Sequence, residues 1–279
     1  MLLIVLDTEL REMSGIARKS TVYLFSTIGF YSIIVSFLYS VQKKLIFRPD
    51  ALDKDHTFQF VIPFEEFNLE HENGELVNSL YFPCEDSKAL VIYFHGNSRN
   101  LQHWGNYLPD VVRRGYDVVA IDYRGYGKSD GEVSELGMYE DAELVYAWAR
   151  ANYPEKDIIL WGRSLGTGVA SYLSTHQVAE KLILETPFYN MPELVKTRFP
   201  ILIVPVELKY KFPNATNIQK NQMTTLIIQG TKDNIVPLKS ASKLKKILET
   251  DDHFFTIKGA GHRNLHEFND YQSVLDEIL

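Results

Sequence analysis

A serine, an aspartate and a histidine stand in this chain where together they could carry out acyl transfer. Ser164 lies in Gly162-Arg163-Ser164-Leu165-Gly166, directly after the apolar run 157–161. A short strand running into G-x-S-x-G reads as a strand-to-helix corner that projects the serine hydroxyl out of a sheet. The two glycines have a steric task, because side chains there would crowd the corner and the helix behind it. Gly and Ser are common enough that the five letters alone also describe an ordinary Gly-rich turn. A serine hydroxyl is a poor nucleophile at neutral pH. It needs a base, an acid that orients the base, and donors for the developing oxyanion. Asp233 follows the apolar run 224–229 within Gly-Thr-Lys-Asp, and His262 follows the run 254–258 within Gly-Ala-Gly-His. The order Ser…Asp…His, each residue just past a separate strand, meets that need in three loops at once.

Two backbone groups are the candidate oxyanion donors. One is the N–H of Leu165, immediately after the serine. The other is the N–H of Asn97, in the loop after the run 89–95, where Gly96 allows close approach. Competing groupings explain less. His266, with Glu267 or Asp270, would suggest a metal pair with His262 at helical spacing, but that leaves Ser164 and Asp233 without a purpose. No metal is therefore expected, and His266 reads as a surface residue. His95 ends a strand and suits shaping the next loop. His56, His71, His103, His176 and His253 have ordinary surface or turn contexts, and Asp251 and Asp252 read as a solvated turn. The single cysteine, Cys84, excludes an internal disulfide and reads as a packed or incidental thiol rather than a nucleophile.

The elements that must position these groups follow a regular rhythm. Runs 64–69 and 75–82 flank an Asn73-Gly74 pair and predict an antiparallel hairpin. Near-continuous apolar runs at 89–95, 117–122, 157–161 and 181–185 predict strands covered on both faces. Helices are expected at 100–114, 137–152, 165–176, 239–248 and 269–279, with Met138, Ala142, Leu144, Val145 and Trp148 as an inward stripe of the second. Alternating strands and helices mean an α/β fold with a doubly wound, mostly parallel sheet that opens with an antiparallel hairpin. The rhythm breaks at 186–222, a long aromatic stretch punctuated by prolines, which reads as a short cap insertion. Phe188, Tyr189, Phe199 and Leu202 are its candidate substrate-binding residues; the same side chains would serve equally well packed down on the sheet. There is no internal repeat and no low-complexity tract.

The N-terminal region has a different composition. Residues 21–41 carry no charge, and Arg18-Lys19 and Lys43-Lys44 bracket them. A helix of that length spans the ~30 Å hydrocarbon core at ~1.5 Å per residue. A single-pass membrane anchor is the favoured reading, after a tail at 1–20 and before a catalytic domain at 45–279. A packed or interfacial helix and a signal peptide are the alternatives, since Ser32, Ser36 and Ser40 give one face some polarity. Basic flanks on both sides leave the orientation open, and Met13 is a second plausible start. The net charge of −7 is spread along 279 residues, with no basic stripe, so nucleic acid is not an expected partner.

Five segments together carry a family resemblance: His95-Gly96-Asn97, the stretch from Asp122 to Ser129 (DYRGYGKS), the Ser164 corner, Gly230-Thr231-Lys232-Asp233 and Gly261-His262. From about residue 65 to the end the chain resembles the α/β-hydrolase superfamily. Within it, the chain is similar to small N-terminally anchored serine hydrolases, a branch that includes depalmitoylases and lysophospholipid lipases. The resemblance implies Ser164 as nucleophile, His262 as general base and then acid, Asp233 as the residue orienting His262, and a structural role for the 122–129 loop. It implies no cofactor. An aromatic cap and an anchor favour small-molecule acyl esters or thioesters as substrates, with activity declining as pH falls through the imidazole range near ~6.5. A peptidase or amidase of the same fold, and a non-catalytic binding module, are the competing classes.

Overall fold

The computed structural model describes residues 15–154, 157–199, 207–248 and 254–279. The chain divides into two units: residues 1–45 with 202–209, and residues 46–201 with 210–279.

The first unit is dominated by helix α1 (Gly15–Ile46). Its large apolar side chains are exposed, including Tyr23, Phe30 and Ile33 at about 70%. The hydroxyls of Thr27 and Ser32 donate to the carbonyls of Tyr23 and Ile28, one turn back, so these polar side chains are satisfied on the helix itself. Gln42 donates to the Glu207 carbonyl at 2.9 Å and accepts the Lys209 N–H at 2.8 Å. By length and composition the stretch from Lys19 to Ile46 is able to cross a membrane.

The second unit is built on eight strands: β1 (Glu65–Glu70), β2 (Leu76–Phe82), β3 (Leu90–Phe94), β4 (Asp117–Ile121), β5 (Ile158–Arg163), β6 (Lys181–Glu185), β7 (Thr224–Gly230) and β8 (Phe254–Ile257). Their order in the sheet is β8-β7-β6-β5-β3-β4-β2-β1. β1 and β2 form the expected hairpin, and β2 is also antiparallel to β4; every other pairing is parallel. Every residue of β3, β4 and β5 is buried, which explains why these strands read as unbroken apolar runs without polar alternation.

Around the sheet lie α2 (Glu135–Asn152), α3 (Gly166–Leu173), α4 (Met191–Arg198), α5 (Asn214–Lys220), α6 (Leu238–Lys245) and α7 (Asn269–Ile278). α2 begins two residues before its expected start because Ser134 caps it, accepting the Gly137 N–H. Met138, Ala142, Val145 and Ala149 form its buried stripe, while Leu144 and Trp148 are half-buried. The helix expected at 100–114 is instead three short pieces: a turn of α-helix Leu101–Trp104, a 3-10 turn Gly105–Tyr107, and a second α-helical turn Pro109–Val112. Pro109 has no N–H to continue the ladder, and Gly105 favours no helix. Gly105 also lies so close to Phe60 that a Cβ there would sit 2.4 Å from the ring. The described part of the stretch 186–222 holds α4 and α5. Glu193 of α4 accepts from Thr197 and from Ser240 and Lys243 of α6, which ties α4 to α6 within the same unit.

Candidate active site

The parallel register brings three strand ends to one edge. β5 ends at Arg163, β7 at Gly230 and β8 at Ile257, and the loops that follow carry Ser164, Asp233 and His262. The strand order reverses between β3 and β5, the place where open α/β sheets form a crevice beyond their carboxyl ends.

Ser164 adopts φ +53°, the left-handed region that costs a side-chain-bearing residue free energy. Packing enforces it. A Cβ on Gly162 would lie 2.3 Å from the Gly166 carbonyl oxygen, and a Cβ on Gly166 would lie 2.0 Å from that of Phe94. The Ser164 N–H donates to the Glu185 carbonyl at 2.8 Å. Its own carbonyl accepts the N–H and hydroxyl of Thr167 at 3.0 and 2.6 Å. The corner is thus held on both sides, with the residue 8% exposed.

His262 Nε2 lies 2.9 Å from Ser164 Oγ, and its Nδ1 lies 2.7 Å from Asp233 Oδ2. The Asp233 carboxylate is buried and well supplied with donors: Oδ1 accepts the N–H groups of Ile235 and Val236, both at 2.8 Å, and Oδ2 accepts from Gln229 at 3.1 Å. The two loops are cross-tied. Thr231 donates to Ile257 and Lys232 to Ala260 through the backbone, the Thr231 hydroxyl accepts the Gly259 N–H, and Asn264 accepts the Gly261 N–H. Such an array fixes the Asp233 carboxylate in place and sets the ring orientation of His262.

The loop after β3 approaches from the other side. A Cβ on Gly96 would lie 3.6 Å from Ser164 Cβ. Among the described residues, no protein acceptor takes the N–H of Asn97 or of Leu165. Asn97 is fixed through its other groups: its carbonyl accepts from the Arg48 N–H and the Tyr126 hydroxyl, and its side-chain amide donates to the Ile46 carbonyl. His95 is fully buried, with Nδ1 2.7 Å from the Gly96 carbonyl and Nε2 3.3 Å from Asp122 Oδ1. Burial pushes the Asp122 carboxyl up, while His95 and the Leu101 N–H draw it down. The 122–129 loop therefore acts as a brace: Tyr123 donates to the His95 carbonyl and Tyr126 to that of Asn97.

The remaining expectations fare differently. Phe188 is buried at 1%, Tyr189 is half-buried, and Phe199 is 49% exposed; Leu202 falls outside the described residues. His71 is no ordinary surface histidine. Its Nε2 lies 2.8 Å from the fully buried Asp141, whose carboxylate also takes the Arg124 guanidinium at 2.9 Å. His176 pairs with Glu143. His266 sits on a 3-10 turn against the Tyr107 ring, and among the described residues no cluster of three metal-ligating side chains occurs. His253, Asp251 and Asp252 lie outside the described residues. Sequence reasoning overlooked the buried pair Arg163 and Glu185, whose charges at the ends of two apolar strands were the available signal.

Comparison with known proteins agrees with this architecture. Residues 85–216 match the family model described as serine aminopeptidase, S33 (Hydrolase_4), a span that includes Ser164 and stops before Asp233 and His262. The chain is 28% identical over 317 residues to the lysophosphatidylserine lipase ABHD12 of Gallus gallus, across 94% of this chain and 83% of that one. An esterase of Pyrococcus furiosus superposes with a TM-score of 0.65 at 17% identity, covering 83% of this chain and 96% of its own. A serine hydrolase homologue from Coxiella burnetii gives 0.59 at 19% identity, covering 79% and 100%.

Proposed function

From the premise that this chain is a hydrolase of the α/β-hydrolase superfamily, we propose that it cleaves carboxylic ester or thioester bonds of lipid-like acyl substrates through Ser164, His262 and Asp233. The observation that carries the reading is the unbroken line from Ser164 Oγ through both ring nitrogens of His262 to Asp233, at 2.9 and 2.7 Å. Both distances lie within hydrogen-bond reach of proton transfer.

In this mechanism His262 Nε2 takes the Ser164 proton as Oγ attacks the substrate carbonyl. Asp233 holds Nδ1–H and stabilises the imidazolium that forms. The tetrahedral oxyanion lies against the N–H groups of Leu165 and Asn97, which have no competing protein acceptor among the described residues. His262 then protonates the departing alcohol or thiol, leaving an acyl group on Ser164. A water activated by His262 releases the acid and restores the serine.

The lipid-like substrate class is supported by the lysophosphatidylserine lipase relative and by the apolar α1. In this reading residues 21–41 anchor the protein in a membrane, after a tail at 1–20. The catalytic domain is 45–279, with the cap at 186–222. Tyr189 and Phe199 contact the acyl chain, while Phe188 is buried. The family model's description favours a second reading, cleavage of an aminoacyl amide by the same triad.

A fluorophosphonate probe tests the nucleophile: the parent protein labels and Ser164→Ala does not. Equal labelling of the two overturns the assignment. Turnover of p-nitrophenyl octanoate with none of an aminoacyl p-nitroanilide supports the lipid-like class, and the opposite pattern supports the aminopeptidase reading.

A further inference from the structure

The charged residue inside the serine's own motif is buried. Arg163 ends β5, immediately precedes Ser164, and is 3% exposed. Its partner on the same rung of the ladder is Glu185, the last residue of β6, at 1%. Arg163 Nη1 lies 3.4 Å from Glu185 Oε1, and the Tyr271 hydroxyl donates to Oε2 at 3.3 Å. Burying such a pair costs desolvation that two well-packed apolar side chains would avoid. Its worth must lie in what the two residues hold.

Each holds backbone of the active site. The Glu185 carbonyl accepts the Ser164 N–H at 2.8 Å. Arg163 Nη2 reaches the carbonyls of His262 and Arg263 at 3.4 and 3.5 Å. These are long hydrogen bonds individually, but a full cation faces two carbonyl dipoles in a buried setting, where such interactions are strong. The guanidinium lies over the rings of Tyr107 and Trp104, at 4.8 and 5.3 Å. Burial works against its charge, and Glu185 and its neighbours more than offset that, so the group stays protonated.

Behind the pair is a chamber of about 10 Å³. Tyr93 Oη, Trp161 Nε1, Glu185 Oε1 and His266 Nδ1, all on residues that line it, have no hydrogen-bond partner among the described residues. The space admits roughly one water molecule.

We infer that Arg163 and Glu185 are positioning residues that fix the approach of His262 to Ser164. The strand that carries the nucleophile on its backbone reaches, through its last side chain, beneath the loop that carries the base. Glu185 closes the circuit by holding Arg163 with its carboxylate and Ser164 with its carbonyl. A lysine would keep the charge but lose the planar fork that addresses a carboxylate and two carbonyls together, and the stacking on two rings. The inference rests on the triad reading.

The test uses the full-length chain in detergent, with two variants. Arg163→Met/Glu185→Gln removes both charges and leaves neither unpaired, and Arg163→Lys is the conservative change. Each should keep a thermal midpoint near the parent's. In each, kcat for p-nitrophenyl octanoate should fall tenfold or more, with KM changed less than twofold and the fluorophosphonate labelling rate falling in parallel, since misplacement by about an ångström can cost ~100-fold. The lysine variant should lose less than the double variant. A folded variant with kcat within twofold of the parent overturns the inference, as does a loss confined to KM. If the double variant does not fold, Arg163→Lys decides. Retained labelling in Ser164→Ala would instead remove the triad reading itself, a distinct outcome.

Discussion

The Cα of Gly166 faces the carbonyl oxygen of Phe94 so closely that an added Cβ would lie 2.0 Å from it. Both partners in this contact are backbone, one at the start of α3 and one at the end of β3, so neither can swing away as a side chain would. Gly166→Ala should therefore destabilise the protein at the upper end of the about 1–3 kcal/mol typical of overpacking. Gly162→Ala, which would place a Cβ 2.3 Å from the Gly166 carbonyl oxygen, should behave alike. Urea unfolding measures the loss, and a midpoint equal to the parent's in either variant would contradict the packing account of the corner.

Asp233→Asn separates orientation from folding. An asparagine oxygen can still accept the N–H groups of Ile235 and Val236, which now bond to Oδ1, so the loop should persist. Its amide would then turn a donor toward His262 Nδ1 and favour the wrong tautomer. The expected result is a kcat lower by roughly 10⁴-fold, as for the equivalent change in a serine protease triad, in a folded protein whose thermal midpoint is lowered because Gln229 Nε2 then meets an amide in place of Oδ2. Steady-state kinetics beside a melting curve checks both halves.

His103 gives a pH signature. Burial first, and then the charges of Arg99, Arg163 and Arg263, hold its imidazole below the usual range. Below about 6.5 the unfolded chain binds a proton at this position that the folded chain does not. Stability from this residue is thus complete above that pH and declines as pH falls toward the folded value. Proton NMR should place the His103 transition below that of a model histidine and move it upward in Arg99→Gln and in Arg263→Gln. His103→Gln should flatten the acid slope of stability.

Deletion of residues 1–42 should convert a protein that sediments with membranes into one that stays in the supernatant. Turnover of a water-soluble octanoyl ester should be retained within about threefold, since the triad residues all lie beyond the deletion. Fractionation and an esterase assay on the same sample provide the measurement. A full-length chain found in the supernatant would contradict the anchor.

The parts of this molecule that were legible in its sequence are those written locally. An apolar run ending in a glycine-bearing loop marks each strand that feeds the site, and Ser164, Asp233 and His262 each stand in such a loop. The break in the helix expected at 100–114 is partly local, at Gly105 and Pro109, but the close approach of Phe60 to Gly105 joins residues 45 positions apart. His71 looked like a hairpin-turn residue, since its partner Asp141 comes from α2. The Arg163–Glu185 pair was hidden for a related reason. It exists because β5 and β6 align those two residues on one rung, and parallel register is decided by packing of the whole sheet.

The backbone ties from Thr231 to Ile257 and from Lys232 to Ala260 join the Asp233 loop to the His262 loop, and a Cβ on Gly230 would strike the Ala260 carbonyl oxygen at 2.5 Å. Asp233 and His262 are accordingly carried by two loops tied to each other, and Ser164 follows β5, two strands from β7 in the same sheet. Those ties do not pass through Ser164, so the contact between His262 and Asp233 should outlast any substitution of the serine.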